Sequence, residues 1–179
     1  VVPSAAKMPP ERSPIAAGPQ LPPATPEESA GGALVEETWD AYFIQGARVG
    51  YAHTTIPHVE EGGRKLVRIR NVSRTTLKRA GQTIEQDLTL TSWETPAGEL
   101  VRFESQMTTG PGEIVSRGRV SSGTLAIGTT TLGKTHSQTI PWPAGTGGFF
   151  AAEQSLRKQP LQPGERRTVH GLLPVFNVA

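Results

Sequence analysis

Any chemistry in this chain has to come from a short set of side chains. There are four histidines, His53, His58, His136 and His170, two aspartates, Asp40 and Asp87, and no cysteine. Without a thiol there is no disulfide, no thiolate metal site and no cysteine nucleophile. The histidines show neither an H-x-H nor an H-E-x-x-H spacing. His53 and His58 have opposite parity, so a regular strand points them to opposite faces. They read as scattered structural or surface residues, and no metal site is expected. A Ser–His–Asp triad could take its acid only from Asp40, Asp87 or a glutamate, and no G-x-S-x-G elbow presents a serine. Gly145-Thr146-Gly147-Gly148 precedes a helix-like stretch, where free N–H groups can cradle an anion. It lacks the Gly-Lys-Ser/Thr ending of a P-loop, so a cap and turn is the simpler expectation. No catalytic residue and no cofactor is expected, because the common routes to an activated nucleophile or metal-bound water are missing.

What remains chemically distinctive is aromatic surface and arginine, which suit binding better than bond-breaking. Trp142 stands between Pro141 and Pro143 at a strand end, beside the Gly-rich loop and ahead of the helix. With Phe149, Phe150, Trp39 and Tyr51 it makes the candidate binding groove. An indole that plugs the end of a sheet is the competing reading of Trp142. Arg64, Lys65, Arg68, Arg70, Arg74, Lys78 and Arg79 load one strand with positive charge. The strand that follows carries Glu85, Asp87 and Glu94, so a solvated, internally compensated face is expected rather than a nucleic-acid stripe. The net charge of +2 points the same way. Asn71-Val72-Ser73 fits a glycosylation sequon, but Asn71 falls on the apolar side of its strand.

The elements that position these residues read as strands. Glu37–His53 folds back at Gln45-Gly46-Ala47-Arg48 and holds Trp39, Tyr42, Phe43, Val49 and Tyr51, a density that suits a pleated, half-buried surface. The second strand runs to about Ile56, and Pro57 ends regular pairing or marks an edge. Arg64–Arg79 and Gln82–Thr95 alternate around Ala80-Gly81. That turn sets Arg74 opposite Asp87, Leu77 opposite Ile84 and Arg68 opposite Trp93. Thr95-Pro96-Ala97-Gly98 suits a type I turn. Strands follow at Glu99–Thr108, Glu113–Ser121, Thr124–Thr131 and Lys134–Ile140. Phe149–Lys158 is the one helix, with Phe149, Ala152 and Leu156 on one face. A last strand is expected at Glu165–Leu172. The fold class is mainly β: a curved, half-barrel-like antiparallel meander of eight or nine strands with one short helix.

Composition sets the boundaries. Of 16 prolines, half fall before Ala33. Residues 1–32 have no apolar period and read as a disordered tail or linker, because they cannot bury enough surface to offset their ordering entropy. Residues 33–179 read as one β domain. The strand-like Leu173-Pro174-Val175-Phe176-Asn177-Val178-Ala179 suggests that the domain is truncated, with more chain downstream. No window approaches 18 apolar residues, so no membrane span is expected.

Several of these short motifs together resemble a known family. They are Trp39…Tyr42…Gly46…Val49-Gly50-Tyr51, Ser92-Trp93-Glu94-Thr95…Gly98, Ile140-Pro141-Trp142-Pro143 and Pro160-Leu161-Gln162-Pro163-Gly164-Glu165. The run is similar to the all-β region that precedes a transglutaminase-like domain in bacterial envelope proteins. The G-x-x-V-G-Y hairpin and E-T-x-x-G turn also resemble lipoprotein-carrier-like curved sheets. In the first family the catalytic Cys, His and Asp belong to the downstream domain, and none is carried over to this chain. The resemblance implies a secreted or periplasmic, non-catalytic accessory module. Its partner would be a downstream domain, another envelope protein or a peptide-like substrate, and not nucleic acid. The alternative it implies is a carrier of an apolar ligand or lipid on a concave face closed by Phe149–Lys158.

Overall fold

A computed structural model describes residues 34–79 and 81–172. The expected tail at 1–32 and the strand-like end at 173–179 lie outside these residues. Eight strands follow in order: β1 (Leu34–Ile44), β2 (Ala47–Glu61), β3 (Arg64–Arg79), β4 (Gln82–Glu94), β5 (Leu100–Thr109), β6 (Gly112–Ser121), β7 (Thr124–Thr131) and β8 (Lys134–Pro141). One helix, α1 (Ala151–Lys158), comes after them. Each strand pairs antiparallel with the next, giving a single meander sheet in the order β1 to β8. The sheet is unclosed, with β1 and β8 as its two edges.

Turn chemistry explains the meander. Gln45-Gly46, Ser122-Gly123 and Leu132-Gly133 each place two consecutive residues at positive φ, 50° followed by 74–79°. That is the primed turn whose twist matches a two-residue hairpin. At Thr95–Gly98 the Gly98 N–H donates to Thr95 O at 2.8 Å, closing the expected four-residue turn. The β3–β4 register is the expected one: Arg74↔Asp87, Leu77↔Ile84 and Arg68↔Trp93.

Three expectations are corrected. Pro57 does not end β2. The β2–β3 ladder skips Ile56 and Pro57 and resumes at His58↔Val67 in unchanged register, because one missing N–H interrupts pairing without bending the strand away. Glu165–Leu172 is not a ninth strand. Its backbone turns to the loop before α1, where Gly147 N–H donates to His170 O at 3.0 Å and Leu172 N–H to Gly147 O at 3.1 Å. Among the described residues it forms only an isolated parallel bridge, between Gly147 and Gly171. Finally, Phe149 precedes α1, and the helix buries none of its residues; Leu156 is 45% exposed. Polar contacts hold α1 instead. Arg157 pairs with Glu36, Lys158 donates to Ala97 O, and Arg167 Nη1 donates to the carbonyls of Ser155 and Gln159.

The ladders assign the two faces. One, the core face, carries Ile56, Ile69, Leu90, Ser92, Phe103 and Leu125; the other carries Trp39, Tyr51, Arg74, Trp93 and Arg102. The core gathers Leu100, Phe103, Leu125 and Trp142, with Val120, Ile127, Ile140, Phe149 and Leu172 packed on it. It sits at the end of the sheet marked by the β4–β5 and β6–β7 turns, where the chain from Trp142 returns over the sheet. A bulge at Val101 on β5 brings Leu100 opposite Glu94, which keeps the β4 parity of Leu90 and Ser92 and so faces this end of the core.

Candidate functional site

The five aromatic residues of the expected groove do not share one place. Trp142 is buried in the core, at 8% exposure, and its indole Nε1–H has no hydrogen-bond partner among the described residues. Phe149 meets Phe103 edge-on with ring centroids 5.2 Å apart. Phe150 caps α1 and helps line a small cavity of about 200 Å³ under the helix. These three lie on the core face. Trp39 and Tyr51 lie on the opposite face, 6.0 Å apart. Trp39 stacks on His53 with centroids 3.9 Å apart, and His53 Nε2 lies 2.8 Å from Glu37 Oε1. Burial pushes the Tyr51 phenol above its ordinary value, with Arg74 working against the shift and Asp87 with it.

The Gly-rich loop binds anions that belong to this chain. Gly145 N–H donates to Glu99 Oε1 at 2.9 Å. Gly148 N–H donates to the Glu94 carboxylate, which also accepts the Ser92 hydroxyl at 2.8 Å. Glu94 is 2% exposed. Burial raises its carboxyl above the ordinary 4.5, against the opposing pull of the Ser92 and Gly148 bonds and of Lys158. Glu94 therefore does not belong to the solvated acidic face that the sequence suggests. The signal was present in its parity, since 94 falls with Leu88, Leu90 and Ser92 and not with Glu85 and Asp87.

Asn71 lies on the core face and donates to Thr54 Oγ1 at 2.8 Å. Arg74 and Asp87 make an exposed two-pronged pair at 2.6 and 2.9 Å. Among the described residues no three or more histidine and acidic side chains are grouped to hold a metal ion. Among them, too, no helix is long and apolar enough to cross a membrane.

Two surfaces escaped sequence reasoning. Strand β1 exposes Leu34, Val35, Trp39, Tyr42, Phe43 and Ile44 to between 40% and 62%, and Leu77 and Ile84 are exposed at the far end of β3 and β4. The density of large apolar residues suggested a core; the position of β1 at the sheet edge exposes them instead. The second surface surrounds Trp93, whose ring carries the Arg102 guanidinium 3.4 Å above its centroid. Comparison with known protein families, curated proteins and solved structures finds no match to this chain.

Proposed function

We propose that this chain is a non-catalytic β module that docks a partner domain through edge strand β1 and the uncovered end of the core face. The observation that supports it is the run of exposed apolar side chains on β1, continued by Leu77 and Ile84. Exposed apolar patches of this kind mark interaction surfaces. An edge strand adds a row of unpaired N–H and C=O groups that a partner strand can take up. The two edges differ. β8, KTHSQTIP, is polar and ends in a lysine and a proline, the usual devices that discourage pairing. β1 has Glu36, Glu37 and Asp40 and no basic residue, so a strand with lysine or arginine complements it.

The family resemblance makes the partner a transglutaminase-like domain in the same secreted or periplasmic protein, and turnover belongs to that domain. The carrier reading has less support on the helix side. The cavity between α1 and the sheet measures about 200 Å³, and Asp40, Asn71, Glu153 and Arg157 contribute to its wall. A ligand-sized apolar site needs about 300 Å³ or more.

Hydrogen exchange tests the docking reading. The β1 amides should exchange slowly in the protein as its gene encodes it, and faster in the 179-residue chain. Equal β1 exchange in both would overturn it.

A further inference from the structure

The turn end of the β2–β3 hairpin overhangs the sheet. β4 pairs with β3 only as far as Val67↔Glu94, whereas β2 and β3 stay paired out to Glu61↔Arg64. Residues 60–65 at its tip are exposed, and one side chain of the tip is tied back to the sheet. Arg102 Nη2 on β5 donates to Glu61 Oε1 at 2.8 Å across 41 residues of chain. That clasp draws the hairpin end back over Arg68, Trp93 and Arg102, which are direct neighbours on β3, β4 and β5. The open cleft beneath it measures about 800 Å³; Val59, Leu66, Trp93 and Pro96 form apolar wall, with Lys65 and Arg68 as its cations, Glu60 and Glu61 as its acids, and His58 at its side. Leu66 and Trp93 are buried, at 4% and 9% exposure.

The two arginines beside Trp93 are provided for differently. Arg102 has the Glu61 carboxylate and the indole face. Arg68 Nε is buried and has no hydrogen-bond partner among the described residues. A buried guanidinium N–H without an acceptor is costly, and a planar oxyanion is the group that fits its donor fork.

We propose that this cavity binds a small carboxylic acid with an apolar body. Arg68 receives the carboxylate, and Trp93, Leu66 and Val59 receive the body. The volume lies in the range of small-molecule sites. A single negative charge matches the unpartnered Arg68 Nε–H. The nearby carboxylates of Glu60 and Glu61 disfavour a more highly charged anion such as phosphate. This site is separate from β1 and stands independently of the docking reading.

The test titrates octanoate into the 179-residue protein, followed by calorimetry and tryptophan fluorescence, with octanol and inorganic phosphate as controls. Octanoate is expected to saturate a single site, and octanol and phosphate to bind at least about tenfold more weakly. Arg68→Met keeps the length of the side chain and removes the charge; it should lose octanoate affinity by about tenfold or more. In the unaltered protein the Arg68 Nε–H resonance should shift on octanoate addition, which decides the matter even where the variant fails to fold. The proposal is overturned by octanol or phosphate binding as tightly as octanoate, by a folded Arg68→Met variant that binds like wild type, by an unmoved Arg68 Nε–H resonance, or by no saturation up to about 10 mM.

Discussion

Glu94 and Gly148 are fitted to each other. The N–H of Gly148 donates to the buried carboxylate, and a Cβ on residue 148 would collide with Glu94 Oε1 and stand 2.9 Å from Ser92 Cβ. Through this contact the loop before α1 is fixed to β4. The first prediction follows from the charge. Burial raises the Glu94 carboxyl in the folded state, so the folded protein holds a proton that the unfolded chain releases from about pH 4.5 upward. The contribution to stability is full below the unfolded value and falls as pH rises through the folded one. Urea denaturation between pH 4 and 8 should therefore show wild type losing stability relative to Glu94→Gln as pH rises. A difference between the two proteins that is flat with pH would contradict this origin.

Gly118 is required by packing. A Cβ there would stand 2.8 Å or less from ring carbons of Phe103, which lies over it on the core face. Gly118→Ala should cost about 1–3 kcal/mol through overpacking. Adding Phe103→Leu should cost less than the sum of the two single changes, because both act on one contact. Strict additivity in a double-mutant cycle would show that the clash is relieved elsewhere.

Much of the sheet was legible in the sequence because period-2 patterns and turn residues agree. The β3–β4 register follows from Ala80-Gly81 alone: once that turn is placed, Arg74 must face Asp87 and Leu77 must face Ile84. The site was less legible, because it depends on where strands end in space. Nothing local to Glu61 or Arg102 reveals that the hairpin overhangs and folds back to join them across 41 positions. Likewise the alternation in Glu165–Leu172 looks like a strand, yet Gly147 and Gly171 divert that segment to the loop. A side chain at Gly171 would bring its Cβ to 2.9 Å from Ala151 Cβ, so this approach depends on glycine.

The β7–β8 turn places Leu132 at φ 50° with 83% exposure. Leucine gains nothing there from packing and bears the steric cost of a left-handed backbone, whereas asparagine tolerates that region. Leu132→Asn should stabilise the protein by about 0.5–1 kcal/mol, read as a higher Tm. A fall in Tm would mean that the leucine makes a stabilising contact.

Trp142 combines two opposed properties. Its indole fills the core among Leu100, Phe103 and Leu125, so its first role is volume. Its Nε1–H, however, is buried without a partner among the described residues. The two properties separate by substitution. Trp142→Ala leaves a large cavity and should cost about 3–5 kcal/mol. Trp142→Phe keeps an aromatic ring and removes the unsatisfied donor. The smaller ring loses some packing, the removed N–H restores some stability, and the net cost should stay below about 1.5 kcal/mol. Urea denaturation of both variants measures the pair. Similar, large losses in the two would mean that Nε1–H makes a bond the folded protein needs. A small loss in Trp142→Ala would take Trp142 out of the core and return it to a binding groove.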